Sequence, residues 1–511
     1  MNTDPGGSVT TTLRAALAIA LLIGFYLLVA AVIAVTLAFD ILAFKHPNAG
    51  AIKIAFIATI AAFALLRALL MMSKRQQSEE YGFPVSSADE PTLWREVSEL
   101  AARVGTRPPD EIRLVPDVNA AVSEDTRMLG LRAVRRRMYI GLPLLATLTA
   151  AEMRGVLGHE LGHYSGSHTR LGAATYRGRV ALIKSISGLG NHPVLQRVFI
   201  TYAKLYFRIS QAVSRRQEHE ADEFAVQISG RQAASSALSK VHAAGAAWEY
   251  YLESYVSLGG AAKATPRDLF SGFRALLAAQ SRRFAEEAAA QERSPYDSHP
   301  SLPERLAAIA RLPEPAVRPD DRPATVLLHN PAAAEHVTTQ AMWTPEARRL
   351  PSLPWEEIVA RGVYTSSNAE AVADLLVGAQ RITGWPEPTL AGALAVLAHG
   401  DVERLGAALR NLGWQGPDTR TLVANVVTGA LQGIFVETGQ ARWTLSWSGP
   451  ALLLDRRGED IRLAELVQQA VDNPGAVQAV RHLLGRYGIP ETHRPALLPV
   501  PAARPAPATP A

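Results

Sequence analysis

The sequence predicts a mainly α-helical protein with a small β-sheet, carried behind an N-terminal pair of apolar segments. Three observations carry that reading. Residues 15–39 run for 25 positions without a charge, and a second apolar stretch follows at 54–72. Apolar residues at helical spacing recur through most of the remaining chain. Short β-favouring runs are confined to 111–123, 137–142 and 440–454.

The first apolar segment is long enough to cross a bilayer with some tilt and exceeds the apolar core of a signal peptide. The second carries Arg67 near its end, from where the side chain can snorkel toward Lys74 and Arg75. A buried core helix is the alternative for this second segment. Lys74 and Arg75 favour an in–out–in hairpin that leaves the following domain in the cytoplasm, while Lys45 and Lys53 in the loop pull against that bias. The expectation is a cell-membrane protein with two transmembrane helices over residues 1–78.

From residue 79 the composition is that of a soluble domain. Pro91 to Val104 reads as a helix through Leu93, Val97, Leu100 and Val104. Glu111 to Pro116 reads as a strand that Asn119 to Ser123 continues, and Arg137 to Leu142 as another. The basic cluster Arg132 and Arg135–Arg137 lacks a nucleic-acid motif or interleaved aromatics and fits a surface beside anionic headgroups. No nucleic-acid partner is expected. The chain has no cysteine, which excludes disulfides and thiolate ligands or nucleophiles. Any metal must be held by histidines and carboxylates.

Such a set is present. His159-Glu160-Leu161-Gly162-His163 places two imidazoles four residues apart, on one face of a helix, with a carboxylate beside them. His159 and His163 can share one metal ion, and Glu160 can serve as general base toward a water held there. Thr149 with Glu152 forms a capping box at the helix start, and Met153, Val156, Leu157 and Leu161 supply an apolar side. Gly155, Gly158 and Gly162 are poor helix formers, but their bareness lets another element or a substrate strand come close. Farther on, Glu218 and Asp222 are again four apart. Glu218 is a third ligand candidate, with Asp222 placed to accept the outer N–H of a ligating histidine. His219 and Glu220 compete for the ligand role. Two histidines and a carboxylate leave a fourth position open for water, the mark of a catalytic zinc site.

These pieces resemble the membrane-associated zinc metallopeptidases of family M48, which include the bacterial heat-shock protease HtpX and the eukaryotic CAAX prenyl endopeptidase. The resemblance covers about residues 15–315, on HELGH at 159–163, Glu-x-x-x-Asp at 218–222 after Arg215, Asn119-Ala120, and His299-Pro300-Ser301 with Arg305. It implies a gluzincin-type domain with one Zn2+ on His159, His163 and Glu218, and Glu160 as catalytic base. Asn119 and Ala120 look like the start of an edge strand that binds substrate backbone; an ordinary turn is the alternative. His299 could donate to a tetrahedral intermediate, or simply open a helix before Pro300 with Arg305 in an internal ion pair. That family usually has two more transmembrane helices between its metal-binding helices. Here 171–214 is interrupted by Arg179, Lys184, Arg197, Lys204 and Arg208, so amphipathic helices capping the site are expected instead.

A long helical region is expected over 233–289, closing the peptidase domain (79–315) at Ser298–Leu312. A Pro/Ala-rich linker (316–351) would follow, then a mostly helical accessory domain (352–495) and a disordered tail (496–511). In the accessory domain, helices are read at Val359–Leu376, Ala391–Leu397, Val402–Leu412 and Leu463–Leu484, with one or two strands in Gln440–Leu454. The function expected is a zinc endopeptidase acting on misfolded or regulatory membrane polypeptides, with a possible protein partner for the accessory domain. The alternatives are a non-catalytic, zinc-stabilised membrane scaffold and a metal-assisted hydrolase of a non-peptide amide.

Overall fold

The first apolar segment forms one long helix, α1 (Pro5–Lys45), along which Leu17, Ile23, Leu27, Val35 and Leu37 are exposed. The computed structural model describes residues 5–45, 50, 52–56, 59–60, 63, 81–127, 132–165, 193–290 and 300–494. The side chains of α1 are described in part, and most of 54–72 lies outside these residues. Among the described residues no helix is long and apolar enough to cross a membrane.

The chain divides into two compact units, Met1–Trp248 with Ser281–Met342, and Glu249–Gln280 with Trp343–Ala511. The first holds a four-stranded mixed sheet. Its strands are β1 (Phe83–Val85), β2 (Glu111–Val115), β3 (Ala120–Arg127) and β4 (Arg132–Gly141), in the order β1-β2-β4-β3. β3 does not continue β2. A turn at 116–119 sends it to the far side of β4, where it pairs antiparallel as an edge strand. Gly141 makes this turn possible, because a Cβ there would collide with the carbonyl oxygens of Asp117 and Asn119.

The helix predicted at Pro91–Val104 (α2) has those bounds and ends on Gly105 in the left-handed conformation, φ 77°. Two arginines of the basic cluster, Arg136 and Arg137, are buried rather than part of the lipid-facing surface expected of it. Arg137 is buried against Asp125 at 2.7 Å and Glu111 at 3.0 Å, and Arg136 against Glu124 at 2.8 Å. Consecutive strand residues point to opposite faces. Each arginine therefore finds acidic partners on its own face, which sequence order alone did not reveal.

A short helix, α3 (Leu142–Thr147), leads to α4 (Ala150–Gly162), which carries the HELGH residues. The capping box is present. Thr149 Oγ1 accepts from the Glu152 N–H, and Glu152 Oε2 accepts from the Thr149 N–H at 2.8 Å. Residues 316–351 are not a linker. The carbonyls of Arg322 and Asp320 accept from the N–H groups of Ala150 and Ala151, which the first turn of a helix leaves without partners. Arg154 adds ion pairs to Glu96 at 2.8 Å and Asp320 at 2.7 Å, and Pro331–Met342 is itself helical.

α5 (Pro193–Ser229) is one continuous helix, about 55 Å long at 1.5 Å per residue. Its first half lies along α1, where the Tyr202 hydroxyl bonds the Leu21 carbonyl. Its second half packs on α4. The 193–214 part of the expected capping region thus belongs to this single helix; 166–192 lies outside the described residues. α6 (Arg231–Tyr251) follows, and the helical region expected to run on to 289 passes through a π turn, Leu252–Val256, and is broken by a short strand at Thr265–Pro266.

The second unit has its own core around Val372, Leu376, Leu394, Leu405, Val423 and Leu431. Its helices include Ala369–Thr383, Leu390–Ala398, Val402–Asn411 and Thr419–Glu437, the last absent from the sequence reading. Ala441–Thr444 pairs with Leu452–Asp455 as a hairpin. Residues 249–280 belong to this unit: the Tyr251 ring lies 5.4 Å from Trp355, and the Tyr255 hydroxyl donates to the Ser446 carbonyl at 2.7 Å. The expected tail lies outside the described residues.

Glu152 also accepts from Lys240 Nζ at 2.7 Å and Ser236 Oγ at 2.6 Å. Burial pushes its carboxyl up, but these bonds and the Thr149 N–H outweigh that and hold it below its ordinary value. A depressed folded pKa means stability that is present above the unfolded value near 4.5 and lost as pH falls through the folded value. Glu152→Gln should therefore cost about 1–2 kcal/mol at pH 7, with the difference in thermal midpoint from wild type closing below pH 4.5. An offset independent of pH would refute this.

Candidate metal centre

The glycines of α4 determine what can approach it. Gly155, Gly158 and Gly162 face Ser229, Ile228 and Phe224 of α5. An added Cβ at Gly162 would lie 2.8 Å from the Phe224 ring and 3.3 Å from the Ala221 Cα. The bare stripe therefore admits α5 rather than a substrate strand. Side chains on the adjoining edge of α5 are thereby brought to the histidines.

His159, His163 and Glu218 converge, with one donor atom from each lying within 4.8 Å of the others. The two Nε2 atoms are 3.2 Å apart, and they stand 3.6 and 3.7 Å from the carboxylate oxygens of Glu218. A tetrahedral ion with bonds of about 2.0–2.1 Å needs edges of about 3.3 Å. The donor set and its spacing fit zinc. Among the described residues this is the one group able to hold a metal, and neither His219 nor Glu220 joins it.

Asp222 stands 3.1 Å from His159 Nδ1, so an N–H there is directed at a carboxylate and Nε2 is left facing the centre. Arg305, from the helix Leu302–Ile309, donates through Nε and Nη2 to both oxygens of Asp222, at 3.0 and 2.6 Å. Its Nη1 is 3.4 Å from Glu218. Asp222, Arg305 and Glu218 are buried. Burial alone would neutralise Asp222, but hydrogen bonds with His159 and Arg305 hold its carboxyl below the ordinary range. Burial likewise opposes the charge on Arg305, and Asp222 foremost restores it, with Glu218 and Glu160 contributing. The sequence marked Arg305 for an internal ion pair but gave no means of finding its partner 83 residues away.

Glu160 is half-buried on α4. Ala120 opens edge strand β3, and β3 lies against α4. The Asn119 carbonyl accepts from the Gly141 N–H at 2.7 Å, so the last residue of the turn at 116–119 is tied to the end of β4 just before β3 begins. His299 lies outside the described residues.

Residues 87–312 match the family model for peptidase family M48. The matched region holds all three donors of the candidate metal centre. The chain is also 28% identical, over 171 residues, to a protein named Protease HtpX homolog from Paraburkholderia phytofirmans (strain DSM 17436 / LMG 22146 / PsJN). The match takes in 31% of this chain and 58% of that relative's length. No solved structure matches. The matched region takes in β2, β3, β4, α4, α5 and Arg305, and it also runs through residues 249–280.

The glycine stripe makes a prediction about metal binding. Gly162→Ala presses on the α5 backbone beside Asp222 and should weaken zinc affinity by about 10-fold, comparable to loss of an outer partner. Gly158→Ala meets only the mobile end of Ile228 and should change affinity far less. Competition titration against a zinc chelator measures both; equal effects would rule out the stripe as what places Glu218.

Proposed function

We propose that this protein is a membrane-anchored zinc metalloendopeptidase that cleaves misfolded or regulatory membrane polypeptides. The observation that carries the reading is the triangle of His159 Nε2, His163 Nε2 and the Glu218 carboxylate, with Glu160 on the same helix. Zinc held there would supply a Lewis acid for the scissile carbonyl and acidify a water. Glu160 takes the proton of the attacking water and passes it to the leaving amine. Asp222 keeps the His159 ring in the tautomer that turns Nε2 inward, and Arg305 keeps Asp222 ionised and in place. Ala120, on the edge strand beside α4, offers backbone groups to an extended substrate, a mode that binds with little side-chain discrimination.

Glu160→Gln should abolish cleavage of an unfolded protein such as casein while zinc content stays near one ion per chain. Glu218→Ala should lose the metal. Zinc loss in the first variant, or its full activity, would remove Glu160 from the base role; a wild type that cleaves equally well after chelation would end the metallopeptidase reading.

The membrane part of the reading rests on the uncharged run 15–39, the exposed leucines and isoleucine of α1, and the name of the HtpX relative. Large apolar side chains exposed along one helix need a cover, and lipid supplies it. The expected topology is two membrane segments with the catalytic domain in the cytoplasm. Alkaline carbonate should leave the full chain in the membrane pellet. In the cysteine-free background, an impermeant maleimide should label Asn48→Cys in intact cells and spare Ala332→Cys. The reverse pattern would put the catalytic domain outside the cytoplasm.

A further inference from the structure

The edge strand beside the metal helix is not uniformly open. In an antiparallel ladder, alternate residues turn their backbone groups toward the partner strand and the others turn theirs away. The Gly141 N–H donates to the Asn119 carbonyl, so Asn119, Ala121 and Ser123 face β4, while Ala120 and Val122 face the open side. There the Val122 carbonyl is engaged by the Tyr164 hydroxyl at 2.7 Å. Tyr164 follows His163 directly, so one phenol bridges from the end of the metal helix to the outer edge of β3. Among the described residues no hydrogen bond leaves Ala120 toward that side.

The phenol is held rather than resting there by chance. Its ring lies under the guanidinium of Arg136, 4.8 Å from the centroid, and Arg136 is fixed by Glu124 at 2.8 Å. The Tyr164 carbonyl accepts from Thr106 Oγ1 at 2.9 Å, and Thr106 Oγ1 in turn accepts from Arg136 at 2.9 Å. Removing the hydroxyl alone would leave these supports in place.

We propose that Tyr164 is a strand stop and a specificity-determining residue for the peptidase reading, on which this inference rests. A substrate strand can pair with the outward groups of Ala120, but the next outward acceptor, at Val122, is already taken. Backbone recognition is thereby limited to one residue of β3. A longer extended substrate gains nothing from its next amide, which favours short flexible stretches over preformed strands.

The test is an N-methyl scan. A cleavable peptide is made in versions with one backbone amide at a time methylated, which removes that donor. For the wild type, KM should rise at one position outside the scissile bond, the one that pairs with Ala120. For Tyr164→Phe a second sensitive position should appear two residues from the first. The unmethylated peptide should bind the variant with KM lower by about 2- to 10-fold, the worth of one hydrogen bond, at unchanged kcat and zinc content. Tyr164→Leu, which also lacks the hydroxyl, should show the same second position and serves if the first variant folds poorly. Two sensitive positions in the wild type, or no second one in either variant, would overturn the strand stop while leaving the peptidase reading intact. A wild type that does not cleave the parent peptide would overturn that reading, and the strand stop with it.

Discussion

The close contact between α4 and α5 is the constraint on which the rest of the site depends. The two histidines come free with the i,i+4 geometry of one helix, but the third donor must arrive from elsewhere in the chain. A helix pair normally stands 8–10 Å apart because side chains keep the backbones separated. At Gly162 there is no side chain, and the α5 backbone at Ala221 comes within reach of where a Cβ would stand. Glu218 and Asp222 flank that point, and their carboxylates land on the imidazoles. The helix propensity given up at three glycines, about 1 kcal/mol each, is the cost of bringing two helices together at this distance.

The same closeness creates an electrostatic problem that the fold answers. Glu218 and Asp222 are buried, with Glu160 close by, and such groups strongly disfavour leaving water unless partnered. Arg305 answers part of it, with a two-pronged bond to Asp222 and a contact to Glu218. Three carboxylates against one guanidinium leave two negative charges among these groups, the charge that a divalent cation balances. Metal binding and the ionised state of the site therefore favour one another. Arg305 reaches this place from a helix with its own capping box at Ser301 and Glu304, which ties the end of the M48 region to its centre.

Much of this was legible in the sequence where the determinants are local. The capping box at Thr149, the bounds of α2 and the i,i+4 pairs each involve residues within one or two turns, so spacing alone carried them. What escaped depends on partners far along the chain. Arg136 and Arg137 read as a basic patch because Glu111, Glu124 and Asp125 sit on other strands. The placement of β3 beyond β4 was hidden because the alternation of a strand says nothing about its neighbour. The helix Thr419–Glu437 is buried on nearly all sides, so its apolar residues show no amphipathic period. Residues 316–351 looked like a linker because proline and alanine dominate them, yet their carbonyls complete the first turn of the metal helix.

The division of the chain has a consequence for how the second unit can be studied. The M48 match spans 87–312, but residues 249–280 within it fold with Trp343 onward. The Tyr251 ring packs on Phe273, Trp355 and Trp447, and Gln280 Nε2 donates to the Trp447 carbonyl at 2.6 Å. Gly272 shows how close that packing is, since a Cβ there would run into the Trp355 indole and the Tyr251 hydroxyl. A truncation before Trp343 strips this internal segment of its covering and exposes Tyr251 and Phe273, both buried in the intact chain. Loss of activity in such a truncation would then report damage inside the matched region 87–312, whatever the second unit does. Its role is better reached by surface substitutions such as Trp385, an exposed aromatic outside the segment, which leave the core around Tyr251 untouched.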